Sequence, residues 1–135
     1  MPVGHGIKLS KSMSPKTPSP KTPSKELRMK GIPYASAIGS IMYVMLCTRP
    51  DVAYALSMAS KYQSCPSEGH WTTVKNILNY LRRTKEFCLT YGGDEELVVR
   101  AYTDASFQTD QDDQKSQSGY VFCLNGGVVS WKSSK

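Results

Sequence analysis

The feature that most limits how this chain can fold is a Pro-rich stretch near its N-terminus. Residues 10–25 are built mainly from Ser, Lys, Thr and Pro, and the block Ser-Pro-Lys-Thr-Pro occurs at Ser14–Pro18 and again, unchanged, at Ser19–Pro23. Such a stretch has too little apolar surface to form a core, and proline favours extended conformations. We therefore predict a disordered basic arm over residues 1–32, which leaves roughly 105 residues for one modest core.

The charge of the chain is concentrated in the same arm. The 135 residues carry a formal charge of +6, and residues 1–30 hold seven basic residues against one acidic residue. Residues 31–135 hold ten of each kind, so the part expected to fold is neutral. A domain that binds nucleic acid through one broad basic face would stay basic without the arm, and this distribution argues against that class.

Three helices are predicted after Pro33. Apolar residues recur at steps of three and four, first up to the Arg49-Pro50 break, then up to Pro66, and then up to Thr84. Ser67 is expected to cap the third helix, and His70 is expected to be a packing or cap-adjacent residue. The predicted apolar faces are Tyr34, Ile38, Ile41, Met42 and Met45; Val52, Leu56, Ala59 and Tyr62 (or Met58); and Trp71, Val74, Ile77, Leu78 and Leu81.

The periodicity changes to two after Thr84, which is typical of strands. The alternating segments are Phe87–Tyr91, Leu97–Phe107, Tyr120–Leu124 and Val128–Trp131, and Asn125-Gly126-Gly127 is a hairpin signal between the last two. They predict a small antiparallel sheet of three to four strands, whose apolar face needs the helices as its partner. The fold class is therefore α+β, with a helical segment at 33–84 and a sheet segment at 85–135.

Cysteine and membrane signals are weak. Cys47, Cys65, Cys88 and Cys123 form no CxxC pair, and the two histidines are not spaced to complete a zinc site. We expect reduced, partly buried thiols in a reducing compartment, with a disulfide or metal role as the alternative. No apolar run approaches the ~18 residues of a membrane span, and no secretory signal is recognised at the N-terminus.

Several short motifs, taken in order, resemble one known family. They are Ile32–Ser40, Cys47-Thr48-Arg49-Pro50-Asp51, His70-Trp71 with Ile77–Arg82, Tyr102-Thr103-Asp104-Ala105, and Lys115–Tyr120 with Val129-Ser130-Trp131-Lys132. In this order and spacing the chain resembles the pol polyprotein of copia-type LTR retrotransposons over nearly its whole length. The resemblance implies that 33–84 is the end of a reverse transcriptase, thumb and connection, and that 85–135 is a truncated RNase H-like set of strands.

The resemblance gives Asp104 a role. It matches the first of the family's metal-binding RNase H acids, and that set of acids would together hold two divalent ions to activate water. On local pattern alone, Asp104 is interpreted as an edge-strand carboxylate. The family's second acid lies on a later helix, which we expect to fall beyond Lys135, and the polymerase signature Tyr-x-Asp-Asp is absent. We therefore expect no enzymatic activity, no metal site and no cofactor, with Mg²⁺ needed only by the complete parent enzyme. Asp110, Asp112 and Asp113 are interpreted as a solvated loop.

The leading functional prediction is a non-catalytic remnant of a retrotransposon reverse transcriptase and RNase H. Basic residues near the end of the third helix would bind an RNA–DNA hybrid or duplex weakly and in a salt-sensitive way, inside the cell. These candidate nucleic-acid-binding residues are Lys75, Arg82, Arg83 and Lys85.

Two alternatives remain open. Fragments of this kind also resemble secreted effectors of the Arg-x-Leu-Arg type, and Lys25-Glu26-Leu27-Arg28 is a near match in which Lys replaces the first Arg. Asp94-Glu95-Glu96 would then be the acidic follow-on, and the chain would be secreted and act on a host protein. The other alternative is a truncated gene product without a function.

Overall fold

The computed structural model describes residues 9–13, 29–93, 97–106 and 116–134. Three helices, α1 (Tyr34–Cys47), α2 (Ala53–Ser60) and α3 (Glu68–Arg83), precede three strands, β1 (Val99–Ser106), β2 (Gln117–Leu124) and β3 (Gly127–Ser134). Short 3-10 turns lie at Lys11–Met13 and Pro50–Val52. The predicted α+β class is confirmed. Within the described ranges, no helix has the length and apolarity needed to cross a membrane.

The three helices enclose the main core. The predicted apolar faces are largely confirmed, because the side chains spaced by three and four residues do point inward. Met42 and Leu78 differ and are 41% and 39% exposed, while His70 and Thr73 take inward positions on α3. The core cluster consists of Tyr34, Ile38, Ile41, Val52, Ala55, Leu56, Ala59, Val74 and Ile77.

The start of α3 is closed by a capping box. The Ser67 hydroxyl accepts a hydrogen bond from the His70 backbone N–H, and the Ser67 N–H donates to His70 Nδ1 at 3.1 Å. Since Nδ1 accepts, the proton of the neutral imidazole lies on Nε2, which donates to the Ser10 carbonyl at 3.3 Å. The ring also stacks on Tyr62 with centroids 3.9 Å apart. The sequence prediction of a packing, cap-adjacent histidine is confirmed.

Residues 9–13 depart from the arm predicted for residues 1–32. Leu9 is 6% exposed, and a side chain added at Gly69 would collide with the Met13 side chain. Leu9 and Met13 are apolar residues beside the Pro-rich block, so they can pack where that block cannot. The other residues of the predicted arm, apart from 29–32, lie outside the described residues.

The sheet is a simple meander in the order β1-β2-β3 with antiparallel pairing throughout. Asn125 and Gly126 have φ of 46° and 83°, the left-handed conformations that a two-residue type I′ turn requires. The predicted hairpin is therefore confirmed. The strand predicted at Phe87–Tyr91 is not formed. Those residues cross the hairpin end instead, where the Tyr91 hydroxyl donates to the Val128 carbonyl at 3.0 Å.

The helices cover the β3 side of the sheet. Trp131 Nε1 donates to Met45 Sδ at 3.2 Å, and the hydroxyls of Ser57 and Ser133 lie 3.5 Å apart. By contrast, every described side chain of β1 is exposed. None of the four cysteines, all of them in the described ranges, forms a disulfide. Cys123 is partly buried, but the other three are exposed, so partial burial was a wrong expectation for them.

Candidate acidic cleft and cationic helix face

A cleft of about 290 Å³ separates the start of α2 from the helix-facing side of the sheet. Side chains alternate along β1, so Arg100, Tyr102 and Asp104 share one face. The paired residues Val121 and Trp131 continue that face across β2 and β3. The α2 side of the cleft is formed by Pro50, Ala53 and Tyr54. The arrangement is an open, aromatic-sided cleft with one carboxylate in it.

Asp104 is the only carboxylate among the described residues that line this cleft. Its side chain is exposed, and the strand register places Ser133 of β3 on the same face of the sheet, across Gly119 of β2. No group of three or more His, Cys, Asp or Glu side chains within the described ranges could hold a metal ion. Asp110, Asp112 and Asp113 lie outside those ranges. The metal-binding role that the family resemblance implies for Asp104 stays a prediction.

The basic residues predicted to bind nucleic acid are all exposed and lie on α3 or just after it. Lys75 and Arg82 lie seven residues apart, close to two helical turns, so they share the side of α3 opposite Val74 and Ile77. Arg83 ends the helix, and Lys85 Nζ lies 3.6 Å from Glu86 Oε1 in an exposed pair. The structure thus brings Lys75 and Arg82 onto one surface and leaves the other two at the helix end. Their binding of a ligand stays a prediction.

A buried arginine joins the start of α2 to the end of α3. Arg49 is 6% exposed, and its guanidinium holds Asp51 by two hydrogen bonds, Nε to Oδ1 at 3.0 Å and Nη2 to Oδ2 at 2.7 Å. It also donates to the carbonyl and the hydroxyl of Thr84, the C-cap of α3, at 3.0 and 2.6 Å. Its charge lies 5.5 Å from the ring centroids of both Tyr80 and Phe87. We call Arg49, Asp51, Tyr80 and Thr84 the arginine clamp.

Electrostatics within the arginine clamp favour the charged forms. The hydrogen bond to Asp51 raises the pKa of Arg49 above its ordinary value, against the opposing effect of burial. Burial alone would raise the pKa of Asp51, but hydrogen bonds from Arg49 and Tyr80 and the Arg49 charge outweigh it, so this pKa is lowered. The hydrogen bond to Asp51 raises the pKa of Tyr80. The clamp is therefore an ion pair in which Arg49 is buried and Asp51 is partly exposed. The phenol of Tyr80 stays neutral beside it.

Sequence reasoning missed the clamp as a unit. It used Arg49 and Pro50 only as a helix stop and as part of a family motif. The signal that could have found it is an arginine between a helix end and Pro-Asp, because a bidentate pair at positions i and i+2 fits a tight corner. The effector-like tetrapeptide Lys25–Arg28 and the acidic run Asp94–Glu96 lie outside the described residues, so the structure does not test them.

Comparison with known proteins gives relatives but no domain family. No protein-family model matches the chain, and no solved structure matches it. The chain is 44% identical over 98% of its length to the retrovirus-related Pol polyprotein from transposon TNT 1-94 of Nicotiana tabacum, and it spans about 10% of that polyprotein. It is 35% identical over 76% of its length to the Pol polyprotein from transposon RE2 of Arabidopsis thaliana, of which it spans 7%.

A third relative is a short protein rather than a polyprotein. The chain is 46% identical over 79% of its length to secreted RxLR effector protein 161 of Plasmopara viticola, and it spans 75% of that protein. The transposon homologues indicate a fragment of a retrotransposon Pol polyprotein. The chain belongs to the family of retrovirus-related transposon Pol polyproteins and corresponds to a small segment of them. The family resemblance drawn from the sequence motifs is confirmed.

Proposed function

We propose that this chain is a non-catalytic Pol segment that retains weak, salt-sensitive affinity for an RNA–DNA hybrid or duplex and acts inside the cell. The observation that carries the non-catalytic part is the single carboxylate, Asp104, among the described residues of the cleft. Two-metal hydrolysis needs several acidic ligands that hold two ions about 4 Å apart. One exposed carboxylate does not supply them.

The cations of α3 support the binding part of the proposal. Lys75 and Arg82 project from one side of a helix that the capping box and the arginine clamp fix at its two ends. A rigid helix presenting cations can contact phosphates without reading bases, which gives weak and sequence-independent affinity. Residues 31–135 have no net charge even with these cations counted, so the affinity should be modest.

The binding test compares two full-length variants with the same change in charge. One replaces Lys75, Arg82, Arg83 and Lys85 with Gln, and the other replaces Lys8, Lys16, Lys21 and Lys25 with Gln. Electrophoretic shift with an RNA–DNA hybrid at low salt should show the larger loss in the α3 variant. A larger loss in the arm variant would assign binding to the arm and overturn the α3 interface.

The activity test is direct. Incubation of the chain with a labelled hybrid and Mg²⁺ or Mn²⁺ should leave the RNA strand intact. An Asp104→Asn variant is the matched control, because trace nuclease contamination would act equally in both samples. Cleavage by the native chain that the Asp104→Asn variant lacks would contradict the non-catalytic proposal.

A second candidate function rests on the relative from Plasmopara viticola, whose name describes a secreted RxLR effector. The chain spans 75% of that protein at 46% identity, far more than its share of the transposon polyproteins. On this proposal the chain would leave the cell and act on a host protein. Expression of a tagged full-length chain, with Lys25–Arg28 replaced by Ala in the control, would show secretion that depends on the tetrapeptide. Retention of both forms in the cell would reject it.

A further inference from the structure

The outer edge of β1 is open in the described part of the chain. The Asn125 N–H donates to the Val98 carbonyl at 3.0 Å, so the Val98 carbonyl faces the β2 side. Backbone polar groups alternate along a strand, which turns those of Val99, Ala101, Thr103 and Ala105 toward the free edge. No backbone hydrogen bond from the described residues reaches them there. Such an edge is a template for pairing with another strand.

The opposite edge of the sheet is less available. β3 packs against the helices through Trp131 and Ser133, and its first residue, Gly127, lies against Thr90 and Tyr91. β1 has no comparable cover from the described residues, because Val99 is 65% exposed and Tyr102 is 59% exposed. Any strand that extends this sheet therefore has its best access at β1.

The charges on β1 fit a second copy of the same strand. We propose that β1 pairs with β1 of a second copy of this chain, antiparallel about a two-fold axis at Tyr102, to form a continuous six-stranded sheet. In that register Arg100 of each copy lies opposite Asp104 of the other. The two interfacial ion pairs are related by the axis, as an isologous contact requires.

The backbone directions agree with this register. Ala101 lies opposite Thr103 and Val99 lies opposite Ala105, and all four point their N–H and carbonyl groups at the partner strand. Arg100 and Asp104 then occupy non-hydrogen-bonded positions, where opposite Cα atoms are only about 4.5 Å apart and side chains are closest.

Other registers lack this complementarity. A shift by two residues in either direction separates Arg100 from Asp104, and a shift by four sets Arg100 against Arg100 or Asp104 against Asp104. Like charges directly opposite one another are destabilising. Charges on an edge strand disfavour pairing with unrelated strands. Arg100 and Asp104 therefore also favour one register of pairing between two copies of β1.

The expected dimer is weak, and it does not depend on the proposed function. One strand edge buries less area than a standard protein interface, so we expect a Kd on the order of tens of micromolar. Sedimentation velocity of the full-length chain, from about 5 to about 500 µM in about 0.15 M salt, should show a monomer–dimer equilibrium.

Charge reversal provides the decisive variants. Arg100→Asp and Asp104→Arg should each weaken dimerisation roughly tenfold or more, since two ion pairs become two like-charge pairs. An equimolar mixture of the two single variants should dimerise again. In the mixed dimer the two acids of the first variant face the two arginines of the second. Arg83→Asp, which makes the same charge change at the end of α3, should dimerise like the native chain.

Each other outcome overturns the proposal. A chain that stays monomeric across the concentration range has no such contact. A dimer that both single reversals leave unchanged uses another surface. If the equimolar mixture of the two variants did not dimerise, Arg100 and Asp104 would not face each other across the interface. Open-ended aggregation would exclude a closed two-fold pairing.

Discussion

Replacing Arg49 with Met tests the arginine clamp most directly. The substitution keeps an apolar stem between Tyr80 and Phe87 but removes four hydrogen bonds, two to Asp51 and two to Thr84. Hydrogen bonds to charged groups contribute about 1.5–3 kcal/mol, and breaking a buried pair costs about 3–5 kcal/mol. The Asp51 side chain is 32% exposed and water can replace its partner, so we expect about 2–4 kcal/mol of lost stability.

Urea and thermal unfolding followed by circular dichroism measure this loss. For a core of this size, about 2–4 kcal/mol corresponds to a fall in Tm of roughly 10–25 °C. Arg82→Met is the matched control, since Arg82 lies on the outer side of α3 and the same substitution there should stay within about 0.5 kcal/mol.

A double-mutant cycle separates the ion pair from the contacts to Thr84. Asp51→Asn alone should cost less than Arg49→Met, because the bonds from Arg49 to Thr84 survive. In the double variant the two losses should not add, since the residues are in direct contact. An Arg49→Met protein as stable as the Arg82→Met control would refute this reasoning. So would a double variant whose loss in unfolding free energy equals the sum of the two single losses.

Four further predictions concern stability and salt. Because the pKa of Asp51 is lowered in the folded chain, its pairing with Arg49 stabilises the fold fully above the ordinary carboxyl pKa of about 4 and is lost as pH falls through the folded pKa. The stability gap between native and Asp51→Asn proteins should therefore be constant above about pH 5 and should narrow progressively below it. Ser67→Ala should cost about 1 kcal/mol in urea unfolding through loss of the α3 cap, and an unchanged midpoint would contradict the capping box. Gly126→Ala should cost about 1 kcal/mol or more in the same assay, since φ is +83° there and an L side chain is strained in that conformation. If α3 makes three to four phosphate contacts, hybrid affinity should fall roughly 40- to 150-fold between about 50 and 200 mM salt, and a flat response would argue against phosphate binding.

Local patterns predicted the elements that depend on local chemistry. The spacing of Val52, Leu56 and Ala59 defines one helical face, and it is buried as expected. Asn125-Gly126 predicted its turn because few other residue pairs accept two left-handed conformations. In these cases the cause of the structure lies within a few residues of sequence.

Features that depend on distant partners were not predictable in this way. Arg49 bonds to Thr84 across 35 residues, and periodicity carries no information about such a pairing. The alternation of Phe87–Tyr91 is strand-like, yet the segment bonds to the hairpin end rather than to a strand. For Asp104 the alternation predicted the strand, while the cleft it lines depends on how α2 approaches the sheet.

The arginine clamp also has a consequence for how α3 opens. The last turn of a helix usually frays at little cost, and its amides exchange early with solvent. Here two of the clamp hydrogen bonds end on Thr84, directly after Arg82 and Arg83, and the Thr84 hydroxyl bonds back to the Tyr80 carbonyl. Opening that turn therefore requires breaking the contact with the corner before α2. Its amide hydrogens should then exchange with solvent as slowly as those of the core. The backbone that carries Arg82 and Arg83 is consequently held in place in the folded chain.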